Sequence, residues 1–541
     1  MPYSGIQKRV LIFLNSELNL YLQSNLISIM KQLGLLLIAL FVISSCAEET
    51  PIGVEETKTT FTRVEIDQFI AQKTQKNQIF DWSEAPIEMI YSAAQESDQI
   101  ISIGYQVPGF GNMAEFIGTM DELPDAFIQK RQAIIDQVIE IESRILGEDL
   151  SLSQILPFEL DNSIPTMELR ITSLEALQAL EQDENIRYIE PMGYDPTELG
   201  DEDRQLKSSS GCDGSPDNIN SQDYTNTSSF NAKIPWNFNN HNIPAAWSSA
   251  NGDNISICII DTGASDNQNN LGSQFSSGNS TGRFIQKYST HYTGAWWWKR
   301  LESPHDQCGH GTSMAGLAAA PWGSDGNAVG AAYRSNLVTV RAVADVIISS
   351  SNEKNGVKDA LRLAGNRSDI KVISMSIGNI ISSGTVRDGI YYAYNRGKLI
   401  LAAAGTSTSF TNFVGVIFPA NMNETTAVTG VKAQNSYARC NTCHSGSKVD
   451  FTIEMQRNFD NDRNSVGLAS YSDSPKYIGG SSAATATTAG IAALVWSTNP
   501  NMSRTTVLNR LKQASQLYPN RSSSYGYGDI NADAAVRGTG Y

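Results

Sequence analysis

Between about residue 234 and residue 536 the chain alternates short apolar runs with helical segments, and this alternation restricts its fold more than any other feature. The runs fall at 255–260, 337–343, 372–376, 399–403 and 426–431. A strand that is apolar at every position has both faces covered. Such strands, separated by helices, indicate an α/β fold: a doubly wound, mostly parallel sheet with helices on both faces. No internal repeat competes with that reading.

The segment before it has a different character. Residues 100–107 (IISIGYQV) read as a strand, and 126–145 carry Ile128, Ile134, Ile135, Val138, Ile139 and Ile145 at helical spacing. Residues 167–171 alternate like a half-buried strand. Ser173 is placed to cap a short helix, and 187–191 form a last strand closed by Pro191. The order predicts a small α+β domain over 61–195 of the split β-α-β-β-α-β, ferredoxin-like kind. Residues 196–232 are polar with few apolar anchors, which is the composition of a linker.

At the N-terminus, Met30-Lys31 precedes an apolar run over 33–43 and then Ser44-Ser45-Cys46. A basic start, a short apolar core and small residues make a secretory signal. The stretch ISSC resembles a bacterial lipoprotein box, which implies that Cys46 is diacylated and anchors the chain to the cell envelope. Residues 1–46 are then a leader whose true start is Met30, and 47–60 a tether. Glu48 and Glu49 resemble surface-export signals. The formal net charge of −16 argues against a nucleic-acid partner.

Three segments of the α/β region carry chemistry. A buried run ends in Asp261-Thr262-Gly263, at the carboxyl end of a strand, where open sheets hold their ligands. His310 lies between Gly309 and Gly311 at the start of a helix of small residues. Ser482, in Gly479-Gly480-Ser481-Ser482, opens an apolar helix, where a hydroxyl lies near free backbone N–H groups. Each alone reads as readily as a turn carboxylate, a core histidine or an N-cap serine. Together, in the order Asp, His, Ser, they are candidates for a nucleophilic triad.

These segments resemble those of the subtilisin-like serine peptidases. AAWSSANGDNISICIIDTG is similar to that family's entry into its Asp strand, GHGTSMAG to its His helix and GSSAATATTAGIAALVW to its nucleophile helix. TSLEALQALEQDENIRYIEP resembles the end of its inhibitor-type propeptide. The resemblance implies a serine endopeptidase acting on protein or peptide substrates, made as an autoprocessed preproenzyme whose propeptide inhibits it. The peptidase domain is 233–541. Asp261, His310 and Ser482 are the expected catalytic residues. Ser376, Ile377 and Gly378 are expected to pair with the substrate backbone, and Ala402, Ala403, Ala404 and Gly405 to line the S1 floor. The sequence departs from the family at Thr406, where an oxyanion-binding Asn is usual, at Ala486 in place of Pro, and at Ser313 in place of His. Thr406 leaves open a second reading, a silent subtilase-fold surface protein that only binds.

The remaining cysteines are Cys212, Cys258, Cys308, Cys440 and Cys443. Cys258 reads as a free core thiol, and the preferred pairs are Cys440–Cys443 and Cys212–Cys308. Cys440-Asn441-Thr442-Cys443-His444 also matches a haem-attachment pattern and part of a zinc site, the alternatives to a local disulfide. The resemblance requires no cofactor for catalysis. Calcium is common in the family, and the loop Asp266 to Asn270 is a candidate for it or a plain surface turn. Trp296, Trp297 and Trp298, in an insertion before His310, are core or cleft-edge residues on equal terms.

Overall fold

The computed structural model describes residues 61–196 and 212–541, apart from 296, 406–414, 434–436 and 472. The leader and tether, with Met30 and Cys46, and the tentative oxyanion residue Thr406 therefore lie outside the described residues.

Two helices come first, α1 (Arg63–Asn77) and α2 (Ile87–Gln95). Then follow β1 (Ile100–Tyr105), α3 (Asp125–Leu146), β2 (Thr166–Arg170), α4 (Leu174–Glu181) and β3 (Ile186–Pro191). Ser173 caps α4 as expected, its hydroxyl accepting from Ala176 N at 3.3 Å. The sheet has the order β2-β1-β3, with both pairs antiparallel. The expected split motif has four strands, and among the described residues this domain has three. One edge strand is missing, and the chain after α3 forms a single helical turn, Leu152–Ile155, where that strand was expected.

The peptidase part is built on β4 (Ser256–Asp261), β5 (Ile285–Ser289), β6 (Asn336–Arg341), β7 (Ile370–Met375), β8 (Leu399–Ala403), β9 (Thr425–Lys432) and β10 (Val449–Gln456). Their order is β10-β9-β8-β7-β4-β6-β5, and every pairing is parallel. β4 shows why its sequence is apolar throughout. Ile257 and Ile259 point into one core, shared with helix α5 (His310–Ala319) and helix α8 (Gly480–Ser497). Cys258 and Ile260 point into the other, shared with α6 (Ser351–Asn366) and α7 (Gly384–Asn395). Truncating Ile259 to Ala would cost about 2–5 kcal/mol.

α8 is rich in Ala and Gly because it passes through the protein's centre. A Cβ on Gly490 would stand 2.8 Å from Ala318 O of α5. Its Thr485, Thr487 and Thr488 hydroxyls bond the carbonyls one turn back, which lets polar residues sit in an apolar core.

Residues 212–232, read from composition as part of the linker, are folded against the peptidase body. Cys212 is bonded to Cys308, and the buried Asp223 pairs with Arg457 and Arg463. A polar segment can be ordered by ion pairs that its own composition does not reveal. The small domain and the peptidase part belong to one contact unit, Thr59–Tyr541. The three-stranded sheet lies on α6 and α7. Glu168 of β2 pairs with Lys358, both fully buried, and Arg187 of β3 forks onto Asp388.

Candidate active site

β4 ends at Asp261, and the Gly263 turn carries the chain away from the sheet at φ +110°. His310 is the first residue of α5. The glycines flanking it serve backbone approach more than space for the ring. Gly309 adopts φ +92°, and a Cβ on Gly311 would stand 2.3 Å from Gly263 O. The helix start is thereby pressed onto the Asp261 turn, and His310 Nδ1 lies 2.8 Å from Asp261 Oδ1. The same oxygen accepts from Thr262 N at 2.8 Å.

Asp306 holds this junction together, and the sequence reading missed it. Its Oδ1 accepts from Gly309 N (2.7 Å), Cys308 N (3.0 Å) and Thr262 Oγ1 (2.9 Å). Its Oδ2 accepts from Thr312 N (2.8 Å) and Thr312 Oγ1 (2.6 Å). An acidic residue just before a helix of small residues is a capping signal that could have pointed to it. The Cys212–Cys308 disulfide sits two residues from His310 and ties the entering chain to the same turn.

Burial opposes a charge on His310, but the Asp261 carboxylate, through charge and hydrogen bond, and Asp306 beyond it outweigh burial. The imidazole is held above its ordinary value of 6.5.

Ser482 is the third residue of α8. Gly479 precedes the helix without a side-chain cap, so the first-turn amides keep their donors for something else. Ser376 Oγ donates to Ser482 O at 3.1 Å, which fixes the serine against the end of β7. Ser482 Oγ forms no hydrogen bond with the His310 ring in this structure. In an enzyme without substrate that contact is often long.

Ala402 and Ala403 close β8, and Ala404 and Gly405 continue from it, all buried. Gly378 requires a correction. Its N–H donates to Val346 O at 3.1 Å and its C=O accepts from Ile348 N at 3.2 Å. The place where a substrate strand was expected to add at this residue is filled by the protein's own 346–348 segment. Ser313, where the family has His, donates to Gly309 O and Leu468 O, and Ala486 is buried in the helix packing.

Both preferred disulfides are formed, and Cys258 is a buried free thiol. With Cys440 and Cys443 joined, neither sulfur is available for haem attachment or for a metal. Among the described residues no group of three His, Cys, Asp or Glu side chains is placed to hold a metal ion. In the candidate calcium loop, Asp266 pairs with Lys287, Gln268 donates to Ala469 O, Asn269 bonds Asp473 and Asn270 donates to Asp325. Trp297 and Trp298 are exposed beside a two-stranded hairpin, Tyr292–Thr293 with Arg300–Leu301, and are not core.

An all-parallel sheet whose carboxyl edge carries Asp261 bonded to His310 fits an α/β hydrolytic scaffold. Residues 252–528 match the model of the subtilase family. The chain belongs to that family and is a serine-type endopeptidase. It is 26% identical to the M-protease of Shouchella clausii (strain KSM-K16) over 454 residues, covering 83% of this chain and 94% of that one. It is 28% identical to Subtilisin Savinase of Lederbergia lenta over 310 residues, covering 56% and 99%. In structure it is similar to fervidolysin from Fervidobacterium pennivorans, with a TM-score of 0.54 at 17% identity, covering 81% of this chain and 61% of that one. No helix among the described residues is long and apolar enough to cross a membrane.

Proposed function

We propose that this peptidase works through Asp261, His310 and Ser482, and is made as a lipid-anchored precursor that cuts off its own N-terminal domain. The observation that carries the reading is the 2.8 Å bond from His310 to Asp261, with Ser482 at the uncapped start of the buried helix α8. His310 takes the Ser482 proton as Oγ attacks the scissile carbonyl, then gives it to the leaving amine. A water, deprotonated by the same imidazole, releases the acyl group. Asp261 holds the ring's tautomer and stabilises its charged form. The backbone N–H of Ser482 is one oxyanion donor, and the residue at 406 supplies the other. Substrate lies along Ser376 and Ile377 with its P1 side chain over Ala402–Gly405. Binding at Gly378 requires the 346–348 segment to give way.

The N-terminal domain serves as the inhibitor, and its seam with the peptidase supports this. Beyond the pairs at Lys358 and Asp388, Glu190 accepts from Gly384 N and pairs with Arg387, and Asp81 pairs with Arg387. The anchor is the acylated Cys46, which places the enzyme in the cell envelope with proteins as substrates.

The filled slot at Gly378 and the Thr at 406 favour one rival, a silent protein that only binds. A fluorophosphonate probe separates the two, because it labels only an activated serine. Labelling that vanishes in Ser482→Ala supports the triad, and an unlabelled mature protein supports the rival. In a host lacking other proteases, Ser482→Ala should accumulate a precursor uncut between Pro191 and Ile234. Normal processing of that variant would refute self-cleavage.

A further inference from the structure

We infer that His444 is a positioning residue for hydrolysis: the disulfide loop Cys440–Cys443 lays its imidazole on Gly405 and so fixes the backbone to which Ser481, the neighbour of Ser482, is bonded. The inference rests on the proposed role of Ser482.

The loop is wedged against the turn that opens α8. A Cβ on Gly430 of β9 would stand 2.7 Å from Cys443 Sγ and 3.2 Å from Gly480 O, so the sulfur and the first residue of the nucleophile helix flank the same glycine. The next residue, His444, is anchored through its backbone. Its N–H donates to Gly405 O at 3.0 Å, and its carbonyl accepts from Thr429 Oγ1. The residue is 1% exposed and its ring lies on Gly405, where a Cβ would stand 2.5 Å from Nδ1 and 3.1 Å from Cγ and Cε1.

Gly405 is held on its other side by Ser481. Ser481 Oγ donates to Gly405 O at 2.8 Å and accepts from Gly405 N at 3.3 Å. One peptide unit is therefore gripped between the residue beside the nucleophile and the Cys-loop histidine. Its φ of +126° admits only glycine, which gives the ring a bare surface to rest on.

Within ordinary hydrogen-bond geometry neither ring nitrogen has a partner among the described residues, though the Gly415 backbone lies near enough to favour the charged ring, and a buried polar atom so weakly bonded costs stability. Burial drives the imidazole down to about 4, against a smaller opposing effect of the Gly415 backbone, so the ring is neutral wherever His310 can act as a base. A neutral, flat ring thus covers one face of Gly405.

The test uses the mature full-length enzyme with His444→Ala and His444→Gln, active sites being counted by fluorophosphonate labelling. His444→Ala is expected to lower kcat per labelled site at least tenfold with KM within twofold. His444→Gln, whose planar amide reaches the same space, is expected to recover most of the loss. The pH at which activity falls on the acid side, set by His310, should stay where it is in both variants. An unchanged kcat per labelled site in His444→Ala overturns the inference, even if fewer sites survive, because that pattern belongs to a purely structural residue. No recovery in His444→Gln also overturns it. Absence of labelling in the unsubstituted enzyme overturns both this inference and the triad reading, which separates that failure from the others.

Discussion

The two parts of the molecule close their cores by different means. The peptidase part supplies nearly all of its own interior: two apolar cores sandwich an all-parallel sheet, its central helix is packed through alanine and glycine, and the N-terminal domain adds the half-buried Ile79 to one core. The N-terminal domain borrows Ile380, Ile381 and Tyr392 from the peptidase to complete its core. Across the rest of that seam it presents the carboxylates Asp81, Glu168 and Glu190 to Arg387 and Lys358, and Arg187 to Asp388. A core made only of apolar contacts tolerates any partner of the right shape. A seam of buried charges tolerates only its complement, because each charge left unpaired is costly. The N-terminal part of the chain is thus matched in charge to one surface of the peptidase part.

The comparison can be broken most severely at the chemistry. Ser482→Ala should abolish hydrolysis while leaving both cores intact, measured as lost turnover in a chain that still melts cooperatively. Next, removing one partner of the buried pair should free the N-terminal domain. Lys358→Met alone leaves Glu168 uncompensated and should cost about 3–5 kcal/mol of docking, whereas Glu168→Met with Lys358→Met should restore most of it. Calorimetry of the separated domain binding the peptidase checks both, and an equal loss in the double variant would show that the pair is not what specifies the seam.

If Thr406 donates to the oxyanion, Thr406→Val should cut kcat at least about tenfold, by analogy with the loss of one such donor. Unchanged turnover would remove that position from the site.

Acidity should expose the seam in another way. Burial, against the opposing pull of Arg387, holds Glu190 up to about 7 from 4.5, so its contribution to docking is full at low pH and is lost as pH rises through 7. Lys299, over the Phe158 ring of the N-terminal domain, is pushed down to about 7 from 10.5 by burial. Its contribution is present at high pH and is lost as pH falls through 7. Docking should therefore be weakest near neutrality. Glu190→Gln should flatten the acid limb and Lys299→Met the alkaline one, and a docking curve independent of pH would refute the assignment. On the hydrolytic side, His310 must be neutral to act, so the acid limb of kcat/KM should lie above pH 6.5. The smallest effect is expected at Arg144 and Glu175, an exposed pair within the N-terminal domain whose loss should change stability by at most about 1 kcal/mol.

Much of this was written in one dimension. Apolar runs within β4, β6, β7 and β8 announced strands covered on both faces, because such runs are stable only where both faces are buried. Ser173 announced a helix start, and the glycines around His310 and before Ser482 announced tight backbone turns. What the sequence left undetermined were the properties that depend on which segment arrives where. Whether the small domain keeps a fourth strand and whether 212–232 is a linker or a wall are decided by long-range pairings with no local signature. Asp306 looks like any surface acid until the Asp261 turn and the α5 start converge on it. Gly378 looks free to bind a substrate strand until the 346–348 segment pairs with it. His444 reads as half of a haem motif until the disulfide forms and Gly405 lies under its ring. Local backbone preference and apolar period act within a few residues and can be read in order along the chain. Buried charge partners, filled slots and the packing of one ring on one glycine depend on the assembled chain, and the tertiary structure alone decides them.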